Sequence, residues 1–140
     1  MVKNILVVED DFATATLLHM LLEYQGRFKV YTANDGDDAL AKLGVEPDNE
    51  EAALPDLIVM DIMMPKLDGY SVIQRLAAHP RTRDVPIIVV TAKPKMREMI
   101  LGSKNVAGYV DKPFKELELR QMVARVLLAK APPSSSPEVE

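Results

Sequence analysis

Short apolar segments alternate along this chain with longer segments in which apolar residues recur at helical spacing. The apolar segments are rich in β-branched residues and read as buried strands: residues 4–8, 28–33, 56–60, 86–92 and 108–111. The segments of helical spacing follow them in turn: residues 13–25, 37–43, 70–78, 95–101 and 115–130. Because strands alternate with helices and are apolar throughout, we predict a doubly wound α/β fold with a parallel sheet covered on both faces.

Residues typical of helix ends mark the predicted boundaries. Gly26 and Gly44 stand where two helices should end, and Asp68 stands where the third should begin. The polar segment 44–55 is longer than most connections in such folds, so we predict a mobile loop that the chemistry does not need.

Composition narrows the possible functions. The 140-residue chain fits one domain, which we place at residues 1–130, followed by a flexible Pro/Ser-rich tail or linker start at 131–140. It has no cysteine, so disulfides, zinc–thiolate sites and thiol catalysis are excluded. The net charge of −4 disfavours direct nucleic-acid binding. Without a secretion signal or a run of roughly 20 apolar residues, we expect a cytoplasmic protein that does not enter membranes.

Acidic residues follow two of the predicted strands. Glu9, Asp10 and Asp11 follow the first strand, and Asp61 follows the third. In a sheet of order 2-1-3-4-5 these two strands are neighbours, and ligands bind beyond their carboxyl ends. One acid alone is also compatible with a helix cap or a turn. Together the acids would repel each other unless a cation is bound, and oxygen ligands favour Mg2+ over zinc or copper.

A hydroxyl and an ammonium group should reach the same edge of the sheet. Thr91 ends the fourth strand and Lys112 follows the fifth. Taken singly, Thr91 is compatible with a buried strand residue and Lys112 with a solvated surface lysine. Carboxylates, a metal, a hydroxyl and an ammonium around one point are the groups that stabilise a phosphoryl group in transfer.

Four motifs resemble, in order and approximate spacing, the signature segments of bacterial response-regulator receiver domains. They are ILVVEDD, DLIVMDIMMPKLDG, PIIVVTA and GYVDKPF, and the resemblance covers about residues 3–128. It implies a flavodoxin-like (βα)5 three-layer sandwich. It also implies that a sensor histidine kinase or a histidine phosphotransfer protein supplies a phosphoryl group.

The resemblance implies a role for each matching residue. Asp61 is the expected phosphoryl acceptor, Glu9 and Asp10 are the acidic pair that holds Mg2+, and the Met63 carbonyl completes the metal sphere. Asp11 falls just outside the pair and is expected first to start a helix and second to be a neighbour of the metal.

The remaining motifs match the switch residues of the family. The Thr91 hydroxyl is expected to bond the phosphoryl group, Lys112 to pair with Asp61, and the Tyr109 ring to change rotamer. The bond before Pro113 is expected to be cis. A downstream protein should then read the surface formed by the fourth helix, the fifth strand and the fifth helix.

Five positions carry further expectations. The family often has Asp at position 9, and Glu9 is one methylene longer, so one metal-binding side chain reaches further. Many relatives have Gly where Asn105 stands, so we expect a left-handed backbone there. With Pro94 near its start, the fourth helix is expected to be short or mobile. Met63 and Lys93 are expected to flank the phosphoryl group.

The sequence leaves three functions open. The first is a chemotaxis-type single-domain response regulator, monomeric or dimerising on phosphorylation. The second is the receiver half of a longer regulator with a DNA-binding or enzymatic output domain. The third, a flavodoxin-like cofactor binder or a phosphohydrolase, fits poorly because three acids follow the first strand and Met63 stands where a second acid is needed. His19 and His79 read as structural or solvated residues, so we expect a phosphoryl acceptor that is not itself an enzyme.

Overall fold

The fold alternates strands and helices in the predicted order. The computed structural model describes residues 2–92 and 96–128, so Lys93, Pro94 and the predicted tail lie outside the described residues. The strands are β1 (Lys3–Val8), β2 (Phe28–Ala33), β3 (Leu57–Met60), β4 (Ile87–Thr91) and β5 (Val106–Asp111). The helices are α1 (Phe12–Glu23), α2 (Gly36–Lys42), α3 (Gly69–Ala78), α4 (Arg97–Leu101) and α5 (Glu116–Leu128).

The five strands form one parallel sheet in the order β2-β1-β3-β4-β5, which confirms the predicted fold class. The register pairs Val8 of β1 with Met60 of β3. Both strands therefore end at the same level, and the residues that follow them, Glu9 and Asp61, lie side by side at one edge.

Two apolar layers cover the sheet, and the alternation of side chains along each strand explains them. In β3, Ile58 and Met60 pack into the layer under α2, α3 and α4, whereas Leu57 and Val59 pack into the layer under α1 and α5. All four side chains are fully buried. A strand buried on both faces needs apolar residues at every position, which accounts for the unbroken apolar runs.

Side chains cap the helices beside the site as predicted. Asp11 accepts a hydrogen bond from the Thr14 amide at the start of α1, and Asp68 accepts one from the Ser71 amide at the start of α3. Gly44 follows α2 with a φ of +75°, the left-handed conformation that favours glycine.

The loop 44–55 is anchored, which argues against the mobility predicted for it. The Arg81 guanidinium donates hydrogen bonds to three backbone carbonyls, those of Leu43, Asn49 and Ala52. His79 contacts Asp48 at 3.0 Å, a structural role in keeping with the prediction. The arginine lies 29 to 38 residues along the chain from these carbonyls, so no local sequence pattern indicates the anchor.

The α4 region confirms one expectation and corrects another. Helix α4 has five residues and is short, as predicted. Within the described ranges, Lys66 is the only non-glycine residue with a positive φ. Asn105 therefore does not adopt the expected left-handed backbone. Instead Asn105 is buried, and its side-chain amide donates to the Ile73 carbonyl. Within residues 2–92 and 96–128, no helix has the length and apolar character needed to cross a membrane.

Candidate functional site

Three carboxylates meet beyond the carboxyl ends of β1 and β3. Glu9, Asp10 and Asp61 each offer an oxygen, and these oxygens lie within 4.8 Å of one another. Backbone hydrogen bonds between neighbouring strands hold Glu9 and Asp61 in place. The Asp61 amide donates to the Val8 carbonyl, and the Glu9 amide donates to the Ala33 carbonyl. The sheet itself therefore brings the predicted acidic residues together.

Glu9 is nearly buried and each of its carboxylate oxygens has a partner. Oε1 accepts a hydrogen bond from Lys112 Nζ at 3.1 Å, and Oε2 accepts one from the Asp11 amide at 3.1 Å. Burial raises the pKa of the Glu9 carboxyl above its ordinary value, and the hydrogen bonds from Asp11 and Lys112 offset only part of this effect. The environment thus accommodates a charged Glu9 best when cations are close.

The Asp61 carboxylate is fixed from two sides. Oδ1 accepts a hydrogen bond from the Met63 amide at 3.0 Å, and Oδ2 accepts one from Lys112 Nζ at 2.9 Å. Only 7% of the residue is exposed. A side chain held in this way presents its oxygens in one orientation, which favours attack on a positioned electrophile.

Lys112 brings a positive charge to the site. It follows β5, and its amide donates to the carbonyl of Thr91 at the end of β4. The peptide bond from Lys112 to Pro113 is cis, as expected. Burial alone would lower the pKa of the Lys112 ammonium, but the bonds and charges of Asp61 and Glu9 outweigh it and raise the pKa.

Two of the three predicted switch residues, Thr91 and Tyr109, lie on neighbouring strands. Thr91 is fully buried at the end of β4, and Tyr109 is 6% exposed in β5. The Arg97 guanidinium of α4 lies 5.0 Å from the centre of the Tyr109 ring and 3.7 Å from Asp111. Sequence reasoning missed Arg97, because its link to β5 depends on how α4 packs across the sheet.

Oxygen ligands at this edge fit a hard divalent cation. Three carboxylates would supply negative charge, and the exposed Asp10 faces a cleft of about 480 Å³ that includes Met63, Met64 and Asp68. Mg2+ binds through a few carboxylates while it keeps several waters, which an open cleft permits. The Met63 side chain is half-exposed and lines this cleft with Asp10, whereas its place beside the phosphoryl group and the role of its carbonyl as a ligand stay predictions.

Asp11 lies outside this acidic cluster. Its side chain accepts hydrogen bonds from the amide and the hydroxyl of Thr14, which lower the pKa of the Asp11 carboxyl. It is therefore a helix cap, the role that the sequence favoured. Lys93, the other predicted flanking residue, lies outside the described residues.

The family profile of the response regulator receiver domain matches residues 5–124. The chain belongs to this family. Receiver domains bind Mg2+ at an acidic site, and the receiver domain of the sensor histidine kinase PA1611 from Pseudomonas aeruginosa was solved with a magnesium ion in its active-site cleft. That structure is 32% identical to this receiver domain, with a TM-score of 0.77 over 91% of this chain and 98% of its own.

Curated relatives have the same domain within longer proteins. The alkaline phosphatase synthesis transcriptional regulatory protein PhoP of Bacillus subtilis is 40% identical over 89% of this chain and 48% of its own length. The DNA-binding dual master transcriptional regulator RpaA of Synechocystis is 38% identical over 88% of this chain and 47% of its own. The chain thus spans about half the length of these relatives. Their names are those of transcriptional regulators and do not support the chemotaxis-type subtype.

Proposed function

We propose that this receiver domain is a phosphoacceptor switch in which Asp61 receives a phosphoryl group. The donor is the phosphohistidine of a sensor histidine kinase or of a histidine phosphotransfer protein. The observation that carries the proposal is the position of the Asp61 carboxylate, held by Lys112 and the Met63 amide beside two further carboxylates. A carboxylate fixed among groups that hold cations is suited to attack a phosphoryl group.

The phosphoryl transfer needs only the phosphohistidine and the Asp61 carboxylate as reactants. An Asp61 oxygen attacks phosphorus and forms a P–O bond, while the P–N bond to the donor imidazole breaks and its electron pair stays on nitrogen. Lys112 neutralises charge on the incoming phosphoryl group, and the Thr91 hydroxyl donates a hydrogen bond to it. Glu9, Asp10, Asp61 and the Met63 carbonyl would hold Mg2+, which when bound neutralises charge on the phosphoryl oxygens.

Phosphorylation would then change the α4-β5-α5 surface. The added phosphate brings charge and acceptor oxygens that draw Thr91 and Lys112 inward. Tyr109 belongs to β5 and its ring lies against Arg97 of α4, so a movement of Thr91 allows the ring and the arginine to rearrange. A downstream protein that binds only one arrangement reads the signal.

We also propose how the domain acts in the cell. The domain accepts a phosphoryl group, assists its own phosphorylation and slow dephosphorylation, and has no other enzymatic activity. It acts in the cytoplasm, as a monomer or as a dimer formed on phosphorylation, and does not itself bind nucleic acid. The single-domain reading and the longer-regulator reading both remain, and the mass of the native protein distinguishes them.

Incubation with acetyl phosphate, with and without Mg2+, followed by intact mass spectrometry tests the proposal. We expect the mass of one phosphoryl group to be added only with Mg2+ and to be lost in Asp61→Asn. Asp37→Asn, at an exposed carboxylate of α2, is the matched control and should be phosphorylated normally. Phosphorylation of Asp61→Asn to the same extent would overturn the assignment.

A further inference from the structure

The outer edge of β2 faces away from the rest of the sheet. β2 is the outermost strand on one side, so one row of its backbone groups pairs with β1 and the other row points outward. The Ala33 carbonyl belongs to the inner row, because it accepts from the Glu9 amide. Successive residues of a strand turn their backbone groups to opposite edges, so Val30 and Thr32 belong to the outer row.

Charged side chains bond the outer row of β2 in turn. The Val30 amide donates to Oε2 of Glu23, the last residue of α1, at 2.8 Å. Two residues further along, the Thr32 carbonyl accepts from Nζ of Lys42, the last residue of α2, at 2.6 Å. A carboxylate thus meets an amide and an ammonium meets a carbonyl, which are the polarities that a neighbouring strand would present.

A third bond and an ion pair extend this row. The amide of Asn34, the residue after β2, donates to Asp38 Oδ2 at 2.9 Å, and the same oxygen lies 3.2 Å from Lys42 Nζ. The side chains of Glu23, Asp38 and Lys42 are 37%, 30% and 42% exposed, so they form part of the surface at this edge. We call these three side chains the edge cover.

We propose that the edge cover closes β2 to strand pairing with a second copy of this chain. An open edge offers unpaired amides and carbonyls to another strand. The strand FKVYTA has aromatic and β-branched residues and a single charge, which favours pairing. A two-fold axis at Val30 would place Phe28 of one copy opposite Thr32 of the other, so two such edges are complementary.

The edge cover prevents this pairing in two ways. Glu23 and Lys42 occupy the Val30 amide and the Thr32 carbonyl, which an incoming strand would need. The incoming strand would also have to displace or bury charged groups, and burying an unpaired charge is costly. The proposal does not depend on phosphorylation, because it concerns the opposite edge of β2 from the one that holds Glu9.

Sedimentation velocity of the unphosphorylated Glu23→Ala/Lys42→Ala variant tests the closure. We expect a dimer whose dissociation constant is lower than that of the parent by about tenfold or more. Lys3→Ala/Glu51→Ala removes the same two charges from exposed positions elsewhere and should associate no more than the parent. The double variant should behave identically in an Asp61→Asn background, which separates this proposal from the proposed function.

NMR of a mixture of 15N-labelled and 13C-labelled copies locates the contact. In the dimer of the double variant we expect isotope-filtered NOEs between the β2 backbones of the two copies, and slower hydrogen exchange at the Val30 amide than in the monomer. Circular dichroism checks the fold, and Lys42→Ala alone takes the place of the double variant if that variant is unfolded. The proposal is overturned if the folded variant stays as monomeric as the parent, or if its copies meet at a surface other than β2.

Discussion

The ammonium nitrogen of Lys112 lies 2.9 Å from Oδ2 of Asp61. The same nitrogen lies 3.1 Å from Oε1 of Glu9, so a single cation bridges the ends of β1 and β3. Both carboxylates are nearly buried, so in the protein without metal this lysine limits their mutual repulsion.

Lys112→Ala should therefore destabilise the metal-free protein. We expect the free energy of unfolding at pH 7 to fall by about 1–3 kcal/mol, because two partly buried carboxylates lose their shared partner. Urea unfolding in EDTA measures it. Lys115→Ala, at an exposed lysine three residues on, is the matched control and should change stability by less than about 0.5 kcal/mol. Equal stability of the two variants would show that the bridge contributes nothing.

Gly69→Ala should disturb the backbone of Asp61 directly. A Cβ at residue 69 would lie 2.6 Å from the Asp61 carbonyl oxygen and 2.7 Å from the Ile62 Cα, and neither atom belongs to a flexible side chain. We expect a loss of about 1–3 kcal/mol in the free energy of unfolding and slower phosphorylation by acetyl phosphate.

The matched control for this change is Gly102→Ala. There an added Cβ meets no atom closer than 3.4 Å, so stability and phosphorylation should both be close to those of the parent. If Gly69→Ala were as active and stable as Gly102→Ala, the close approach of α3 to Asp61 would not constrain the site.

Arg81→Lys should release the loop 44–55. A lysine ammonium keeps the charge but cannot place donors on the Leu43, Asn49 and Ala52 carbonyls together in the geometry of a guanidinium. We expect a loss of about 1–2 kcal/mol and faster hydrogen exchange at the Asn49 and Ala52 amides. Arg27→Lys, at an exposed arginine, is the control, and unchanged exchange in Arg81→Lys would mean that the loop is held by other contacts.

Glu23 makes a pH-dependent contribution to stability. Its Oε2 accepts a hydrogen bond from the Val30 amide at 2.8 Å, and this bond lowers the pKa of the Glu23 carboxyl. A group with a lowered folded-state pKa stabilises the fold above its unfolded pKa, about 4.3, and loses that effect as the pH falls through the folded value. The difference in the free energy of unfolding between the parent and Glu23→Gln should be only about 1 kcal/mol at pH 7, because solvent screens this partly exposed carboxylate. The difference should vanish in stronger acid.

The test needs one precaution. His19 Nε2 lies 3.3 Å from Glu23 Oε2, so both proteins are compared in a His19→Gln background, in which this contact is absent. Chemical unfolding from pH 7 down to pH 3 measures the difference. If the stability difference between the two proteins grew as the pH fell, the Val30 bond would not lower the Glu23 pKa.

The sheet order and the acidic site followed from the sequence because they depend on local pattern. Unbroken apolar runs identify strands buried on both faces, and parallel strands carry the residues at their carboxyl ends to one edge. Glu9, Asp61, Thr91 and Lys112 therefore converge wherever the strand order is correct. Asp11 and Asp68 were equally predictable, because a helix cap acts on an amide three residues away.

The features that the sequence did not reveal depend on contacts between distant elements. Arg81 bonds carbonyls about thirty residues earlier in the chain, and Arg97 reaches Tyr109 only through the packing of α4 on β5. Asn105 was expected to replace a glycine through its backbone, but the Ile73 carbonyl draws its side chain into the interior instead. No local pattern encodes the position of a partner on another helix.

The most direct test of the account is to locate the phosphoryl group itself. Borohydride reduces an aspartyl phosphate to homoserine, so the protein is treated with acetyl phosphate and Mg2+, reduced, digested and sequenced by tandem mass spectrometry. We predict homoserine at residue 61 and aspartate at residues 10 and 11, with no conversion when Mg2+ is removed by EDTA. Homoserine at another aspartate, or aspartate retained at residue 61 in the phosphorylated protein, would contradict the central claim.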